Sequence, residues 1–315
     1  MANRKQIKKK QATVDHEAYH IPVLLQEAIE ALQIIPDGVY VDCTFGGGGH
    51  TRALLQRLGT NGKLIAFDQD ADAAANLPDD ERVIFIPQNF RHLKRFLRLH
   101  GIEAVDGILA DLGVSSHQFD QAERGFSIRF NAPLDMRMNR QQEQTAFDIV
   151  QHYSEQQLHK MFEQYGEVTN AKTLAKTIVE VRGHLPLQTI DGFKNALRGI
   201  VKGNPNKYFA QVFQALRIEV NEEMEALKEM LQQAKEVLKE GGRMAVITFH
   251  SIEDRMVKNF FRKGTFEEVE ENPFISIDTS SGFKIITKKP VIANAEELKR
   301  NSRARSAKLR VVEKI

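Results

Sequence analysis

Short apolar segments alternate with amphipathic segments through the first third of the chain. The apolar runs, typical of buried strands, lie at residues 38–44, 63–67, 82–86 and 105–110. The segments with apolar residues at helical spacing lie at residues 23–32, 51–58, 71–77 and 91–99. Because strands and helices alternate with short connections, the pattern predicts an α/β fold built on a doubly wound, mostly parallel sheet.

This alternation stops after residue 116. Residues 117–144 are rich in Gln, Arg and Asn and are predicted to be a long loop. Three helices are expected next, the first opened by a capping box at Ser154 and the others at 171–178 and 190–201. Consecutive helices within an α/β chain predict an inserted helical subdomain over residues 117–208. The core would then comprise residues 19–116 and 209–315.

The α/β pattern resumes after the insertion. One long helix is expected over 210–239, followed by a strand at 243–249 and a helix that Ser251 opens as an N-cap. Two further strand-like runs, at 283–287 and 307–312, close the chain. This ending with two strands is not typical of the nicotinamide dehydrogenases that share the doubly wound sheet.

Composition excludes several classes of protein. No apolar run in the 315 residues approaches the length that spans a bilayer, which argues against an integral membrane protein. The basic N-terminus is not followed by an apolar segment, which argues against a secretory signal. The single cysteine, Cys43, permits neither a disulfide framework nor a cysteine-rich zinc site. We therefore expect a cytoplasmic protein with no membrane partner.

The net charge of +2 is unevenly distributed. Residues 1–10 carry +5 and residues 284–315 carry +7, so residues 11–283 carry −10. Basic ends on an acidic body fit a polyanionic partner such as nucleic acid, although lysine-rich ends are also common as solubilising tails. Residues 1–18 have no hydrophobic periodicity and are predicted to be a disordered basic tail.

Candidate ligand-binding residues follow the predicted strands, where parallel sheets bind their ligands. A glycine run ending at Gly49 follows the first strand, and Asp68 ends the second, at the position from which a carboxylate binds an adenosine ribose. Phe90 follows the third strand and Asp111 the fourth. Each also has a structural interpretation as a turn, a cap or a core residue, and Asp70 is the better candidate for the helix cap. Thr51 stands where a dinucleotide fingerprint requires Gly or Ala, which argues against a nicotinamide dehydrogenase.

Six longer motifs occur in order along the chain. They lie at residues 42–50 (DCTFGGGGH), 111–116 (DLGVSS), 133–138 (PLDMRM), 213–221 (FQALRIEVN), 249–255 (FHSIEDR) and 303–310 (RARSAKLR). In these motifs the chain resembles the RsmH (MraW) family, the bacterial 16S rRNA cytosine N4-methyltransferases. The resemblance implies a class I S-adenosylmethionine-dependent methyltransferase core, Rossmann-like, with an inserted helical subdomain. It also implies methyl transfer to the exocyclic N4 of a cytosine in the decoding centre of 16S rRNA, within the small ribosomal subunit.

The resemblance also implies roles for individual residues in binding S-adenosyl-L-methionine. Contacts to the methionine portion are expected from Gly48, Gly49 and His50. Asp68 would hold the ribose and Phe90 would lie by the adenine. Asp111 and Gln118 would complete the pocket.

Catalysis requires polarisation of a poorly nucleophilic amine. We hypothesise that Asp111, with Ser115 or Ser116 nearby, accepts a hydrogen bond from the N4 amine, although Asp111 could instead only bind the cofactor. The insertion is expected to form the opposite wall of the site, with Phe126, Arg129 and Arg137 as candidates; Phe126 could equally pack the subdomain.

Candidate RNA-binding residues lie near the C-terminus. We expect RNA phosphates to be held by Arg303, Arg305, Lys308 and Arg310. Their alternation also fits the solvated face of an edge strand. His250 is expected to support the site while Ser251 caps the next helix, and no metal-ligand cluster is visible in the sequence.

Two other functions remain open at this point. A DNA amino-methyltransferase would usually carry an Asp/Asn/Ser-Pro-Pro-aromatic loop after the fourth strand, where this chain has Asp111-Leu112-Gly113-Val114. A non-catalytic RNA-binding ribosome assembly factor would bind RNA and cofactor without turnover.

Overall fold

A seven-stranded sheet organises the chain in the computed structural model, which describes residues 22–267 and 281–315. The strands are β1 (Val39–Asp42), β2 (Lys63–Phe67), β3 (Val83–Ile86), β4 (Val105–Asp111), β5 (Leu238–Thr248), β6 (Phe283–Ile285) and β7 (Lys308–Lys314). Their order is β3-β2-β1-β4-β5-β7-β6, with β1 to β5 parallel and β7 antiparallel to both of its neighbours. The predicted α/β class is confirmed. The tail predicted at 1–18 lies outside the described residues.

Twelve α-helices occur in the described ranges. They are α1 (Leu25–Ala31), α2 (Gly49–Leu55), α3 (Leu93–Leu99), α4 (Ser116–Asp120), α5 (Ala146–His152), α6 (Glu155–Gln164), α7 (Ala171–Val181), α8 (Ile190–Leu197), α9 (Pro205–Val220), α10 (Glu223–Val237), α11 (Ser251–Lys263) and α12 (Ala295–Arg300). The segment predicted as a helix at 71–77 is a short 3-10 helix, Ala71–Asn76. Its N-cap is Asp70, as expected, whose carboxylate accepts the Asp72 N–H at 3.2 Å. None of the helices in the described part of the chain is long and apolar enough to cross a membrane.

Both faces of the sheet are buried, because alternate side chains of each strand point to opposite faces. Val41 and Ile65 pack with α3, α10 and α11 on one face. Tyr40 and Leu64 pack with α1 and α2 on the other. The strands therefore form a rigid central layer, and their carboxyl ends meet along one edge.

The inserted helices have a hydrophobic core of their own. Residues of α5 to α8, such as Phe162 and Phe193, pack together with Phe213 of α9 and with the loop residue Met136. The predicted boundary at 208 therefore falls within α9, which packs with the insertion, whereas α10 packs on the sheet.

The expectation of a single helix over 210–239 was wrong. The helix breaks at Asn221 and Glu222, and Glu222 adopts a left-handed conformation with φ 48°. The Asn221 amide donates to the Met136 carbonyl at 2.8 Å, and its oxygen accepts the Met138 N–H at 2.7 Å. The break therefore ties the loop of the insertion to the joint between α9 and α10.

Two expectations near the C-terminus also need correction. His250, not Ser251, is the N-cap of α11, and its ring nitrogen Nδ1 accepts the Glu253 N–H at 3.4 Å. The hydroxyl of Ser251 instead donates to Glu167 at 3.0 Å. Strand β7 is not an edge strand, because β5 and β6 pair with it on both sides.

Candidate cofactor and substrate site

A cavity of about 330 Å³ opens at the carboxyl ends of the parallel strands. The strand order reverses between β1 and β4, the position at which open α/β sheets bind ligands. Residues that follow the strand ends line the cavity, among them Gly46, Asp68, Phe90, Asp111 and Phe249. The ends of all five parallel strands thus converge on one site.

The glycine loop after β1 is held in place by two carboxylates, one buried and one partly buried. Asp42 accepts hydrogen bonds from the Thr51 hydroxyl at 2.8 Å and from the Thr44 N–H at 3.0 Å. Asp68 accepts the Gly46 N–H at 2.7 Å. These contacts fix the loop so that Gly46 and the following glycine face the cavity.

Gly48, expected to contact the cofactor, does not line the cavity. It has φ 72° and is the N-cap residue before α2, and its N–H donates to the Phe45 carbonyl at 2.7 Å. The role of Gly48 is therefore to turn the chain. Gly49 does line the cavity, and a β-carbon there would lie 2.1 Å from Cγ of Pro22, so no side chain fits.

The pKa of the Asp68 carboxyl is raised by its surroundings. It accepts N–H groups from Gly46 at 2.7 Å and from Asp70 at 2.8 Å. Burial raises the pKa of Asp68 to about 7, the charges of Asp70 and Asp42 add to the rise, and the two N–H donors oppose it. A ligand that donates further hydrogen bonds would favour the ionised form.

Phe90 lies on the cavity wall, half-buried, at the start of a short 3-10 helix. The carboxamide of Asn89 holds this turn, because its oxygen accepts the Arg91 N–H at 2.9 Å and its nitrogen donates to Gln69 at 2.9 Å. The ring is thus presented by a turn whose backbone is fixed.

Asp111 ends β4 at the base of the cavity. Its N–H donates to the Thr44 hydroxyl at 2.7 Å. Among the described residues, its buried atom Oδ1 has no hydrogen-bond partner. Burial, with the charges of Asp42 and Glu253, raises the pKa of Asp111 well above its usual range. An unsatisfied carboxylate oxygen in a ligand-sized cavity suits a ligand that donates a hydrogen bond.

His50 lies beside Asp111 and is buried. Its Nε2 is 3.2 Å from the carbonyl oxygen of Val23, which can only accept, so the neutral ring carries its proton on Nε2. Nδ1 lies 3.7 Å from Oδ2 of Asp111. This distance exceeds that of a direct hydrogen bond.

Gln118 supports the site through Asp70. Its amide donates to Asp70 at 2.7 Å, and its oxygen accepts the Ser115 N–H at 3.1 Å in the capping box of α4. Arg124, 2% exposed, donates to the same Asp70 carboxylate at 2.8 Å and to the Met138 carbonyl at 3.0 Å. Arg124, which the sequence did not single out, therefore joins the cofactor side of the cavity to the insertion.

A buried ionic cluster lies behind Phe249. Arg217 also lines the cavity and pairs with Glu223 at 2.8 and 3.0 Å. Glu253 accepts the Phe249 N–H at 2.8 Å. Burial alone would raise the pKa of Glu253, but His250, Arg217 and the Phe249 N–H hold it below its usual range.

The same cluster brings together residues that the sequence did not show as a group. Ligand-type atoms of Glu223, His250 and Glu253 lie within 4.8 Å of one another. Arg217 already pairs with Glu223 and stabilises the charge of Glu253, so a guanidinium supplies positive charge here. Only three-dimensional proximity reveals this cluster, because its members come from α9, α10 and α11.

The C-terminal basic residues divide into two groups. Arg305 is exposed, and Arg303 lines the cavity mouth and pairs with Asp120 at 2.8 and 2.9 Å. Arg310 is 8% exposed, and its guanidinium pairs with Asp254 at 2.6 Å. The expectation that Arg310 holds RNA phosphate therefore needs correction, because this charge is buried and paired. Lys308 shares Asp254 at 3.3 Å but is partly exposed.

The structure places the three residues predicted for the wall opposite the cofactor in different environments. Phe126 is buried in the core of the insertion, and Arg137 folds back onto Asp135 at 2.8 Å. Neither lines the cavity. Arg129 is exposed, and Met138, whose role was not anticipated, faces the cavity with its sulfur 3.2 Å from the Gln69 amide nitrogen.

Comparison with known proteins identifies the family. The family model described as the MraW methylase family matches residues 17–315. A ribosomal RNA small subunit methyltransferase H from Flavobacterium johnsoniae is 56% identical over 94% of this chain and 98% of its own length. The proteins of that name from Christiangramia forsetii and Bacteroides thetaiotaomicron are 52% and 51% identical, over 94% and 95% of this chain and 98% and 99% of their own lengths. By these matches over nearly its whole length, the chain belongs to the MraW methylase family.

Proposed function

We propose that the protein methylates the exocyclic N4 of a cytosine in the decoding centre of 16S rRNA, with S-adenosyl-L-methionine as methyl donor. Family membership and the name of its relatives support an RNA methyltransferase of the small ribosomal subunit. The observation that carries the chemistry is the unsatisfied oxygen of Asp111 in the cavity at the switch point of the sheet. The small subunit as substrate and a cytoplasmic location belong to this proposal.

The residues present fit the methyl donor. Asp68 would accept hydrogen bonds from the ribose hydroxyls, and Phe90 would lie against the adenine. Gly49 and His50 would contact the methionine portion, where a β-carbon at residue 49 has no room. When bound, S-adenosylmethionine supplies an activated sulfonium methyl group, so the protein has mainly to align the attacking amine.

Asp111 would act on the amine. The N4 lone pair of cytosine is delocalised into the ring, so a carboxylate that accepts an N4–H bond favours a more localised lone pair. The proton that the amine loses would pass to Asp111, whose raised pKa makes its carboxylate a stronger base than an exposed one.

The insertion would complete the substrate side of the site. A base in folded RNA must be unstacked before it can enter a cavity of this kind. Met138 and Phe119 are among the cavity residues contributed by the insertion, and Arg217 is contributed by α9. They would bound the space for the flipped cytosine opposite Asp111.

Methyl transfer from labelled S-adenosylmethionine tests the proposed function. Purified protein would be incubated with small subunits from cells that lack it and, separately, with DNA. We expect label in the RNA of the small subunits alone. Label in DNA would instead identify a DNA amino-methyltransferase, and cofactor binding without label would identify a non-catalytic assembly factor.

A further inference from the structure

Two aromatic rings and two guanidinium groups alternate at the mouth of the cavity. Arg129 lies over the ring of Phe119 at 5.3 Å and over that of Phe130 at 5.7 Å. Arg303 lies over the ring of Phe119 as well, at 5.5 Å. Phe119 and Arg303 also line the cavity that contains Asp111, so the group is continuous with the site.

Every member of this group is at least partly exposed to solvent. Phe130 is 41% exposed, and the side chains of Arg129 and Arg303 are 60% and 35% exposed. Exposed charged contacts contribute little to folding stability. Phe130 is also among the few large apolar side chains that the described residues leave exposed. Stability therefore does not account for the arrangement.

One acidic residue holds the two guanidinium groups. Asp120 accepts from Arg303 at 2.8 and 2.9 Å and lies 3.7 Å from Arg129. Its side chain is itself 61% exposed. A phosphate oxygen resembles a carboxylate oxygen as a guanidinium acceptor, so an RNA backbone could take the place of Asp120.

We propose that Phe119, Phe130, Arg129 and Arg303 form a stacking platform for unpaired RNA nucleotides next to the nucleotide that enters the cavity. The bases stack on the aromatic rings and guanidinium planes, as in single-stranded RNA recognition. A backbone phosphate displaces Asp120 from the two guanidinium groups. The inference rests on the proposed function for its RNA substrate and adds the site at which flanking nucleotides are held.

Binding of a labelled single-stranded RNA of about twelve nucleotides, followed by fluorescence anisotropy, tests the platform. We expect Phe130→Ala to weaken binding roughly 5- to 150-fold, the range measured for removal of one base-stacking residue. Leu99→Ala, which truncates a side chain that is 68% exposed at the end of α3, is the matched control and should bind as the wild type does. Asp120→Asn should strengthen binding, because it removes the acid with which phosphate competes. The Kd for S-adenosylmethionine should stay unchanged in all three variants.

Equal RNA affinity of Phe130→Ala and Leu99→Ala, or no measurable RNA binding by the wild type at low salt, would overturn the platform. Unchanged or weaker binding by Asp120→Asn would overturn the displacement of Asp120. The proposed function fails separately, if the wild type transfers no methyl group to small-subunit RNA. A platform that passes the binding test while methyl transfer fails would still be a nucleic-acid site.

Discussion

The affinity for S-adenosylmethionine should depend on pH through Asp68. The proposed role of this carboxylate is to accept hydrogen bonds from both ribose hydroxyls, which requires its ionised form. Burial and neighbouring acids raise the pKa of Asp68 to about 7, so protons compete with the cofactor near neutral pH. Lowering the pH should therefore weaken binding.

The size of the effect follows from the fraction of Asp68 that is ionised, because only the ionised form binds the ribose. With a pKa of about 7, the ionised fraction is about nine-tenths at pH 8 and about one-tenth at pH 6. The apparent Kd should therefore rise roughly tenfold between these two values, or about 1.4 kcal/mol in binding free energy. Binding should also release protons below pH 7, because the ribose hydroxyls favour the ionised carboxylate.

Isothermal titration calorimetry at pH 6, 7 and 8 measures both quantities, with two buffers of different ionisation enthalpy reporting the proton release. Asp68→Asn provides the control, since a carboxamide does not titrate: its affinity should be lower at pH 8 and nearly independent of pH. A wild-type Kd that is constant from pH 6 to pH 8 would refute the assignment. An Asp68→Asn variant that keeps the wild-type pH dependence would refute it too.

Three further substitutions test separate parts of the site. Asp111→Asn should keep cofactor Kd but lower the single-turnover rate about a hundredfold or more, and an unchanged rate would exclude Asp111 as the proton acceptor. Arg124→Met leaves the buried carboxylate of Asp70 without its cation and should lower the free energy of unfolding, measured in urea, by about 3–5 kcal/mol. Lys176→Met removes one partner of an exposed ion pair and is the control. An equally small loss of unfolding free energy in both variants would contradict the prediction. Gly49→Ala should weaken cofactor binding, because the new β-carbon displaces Pro22. Gly183→Ala is the control and should bind the cofactor as the wild type does, since no atom lies within 4 Å of a β-carbon placed there. Equal affinities of the two variants would show that Pro22 moves aside without affecting the cofactor site.

The positions of the cofactor residues could be predicted because they follow strand ends. Apolar runs mark the strands, and parallel strands bring their carboxyl ends to one edge of the sheet. Asp68, Phe90 and Asp111 therefore lie close together, and this does not depend on the exact bounds of the helices. The glycine loop was predicted only in part. Which glycine turns the chain and which faces the cavity depends on backbone angles that four identical residues do not reveal, as at Gly48.

Three other differences from the sequence predictions have a common physical cause. Each depends on a contact between residues that are far apart in the chain. The break between α9 and α10 depends on Asn221, whose partners Met136 and Met138 lie about eighty residues earlier in the chain. The sequence predicted Arg310 as an RNA-binding residue because it could not show that Asp254 pairs with its guanidinium. Arg124 was missed for the same reason, because its acceptors come from another part of the chain.

Mapping of the methylated nucleotide tests the proposed methyl transfer to 16S rRNA. Small subunits from cells that lack the protein would be incubated with wild type or Asp111→Asn and S-adenosylmethionine, and their RNA would be digested and examined by mass spectrometry. We expect one new N4-methylcytidine, in the decoding centre of 16S rRNA, with the wild type, and almost none with Asp111→Asn. A methyl group on another atom or outside that region, or none in the RNA, would contradict the proposed function.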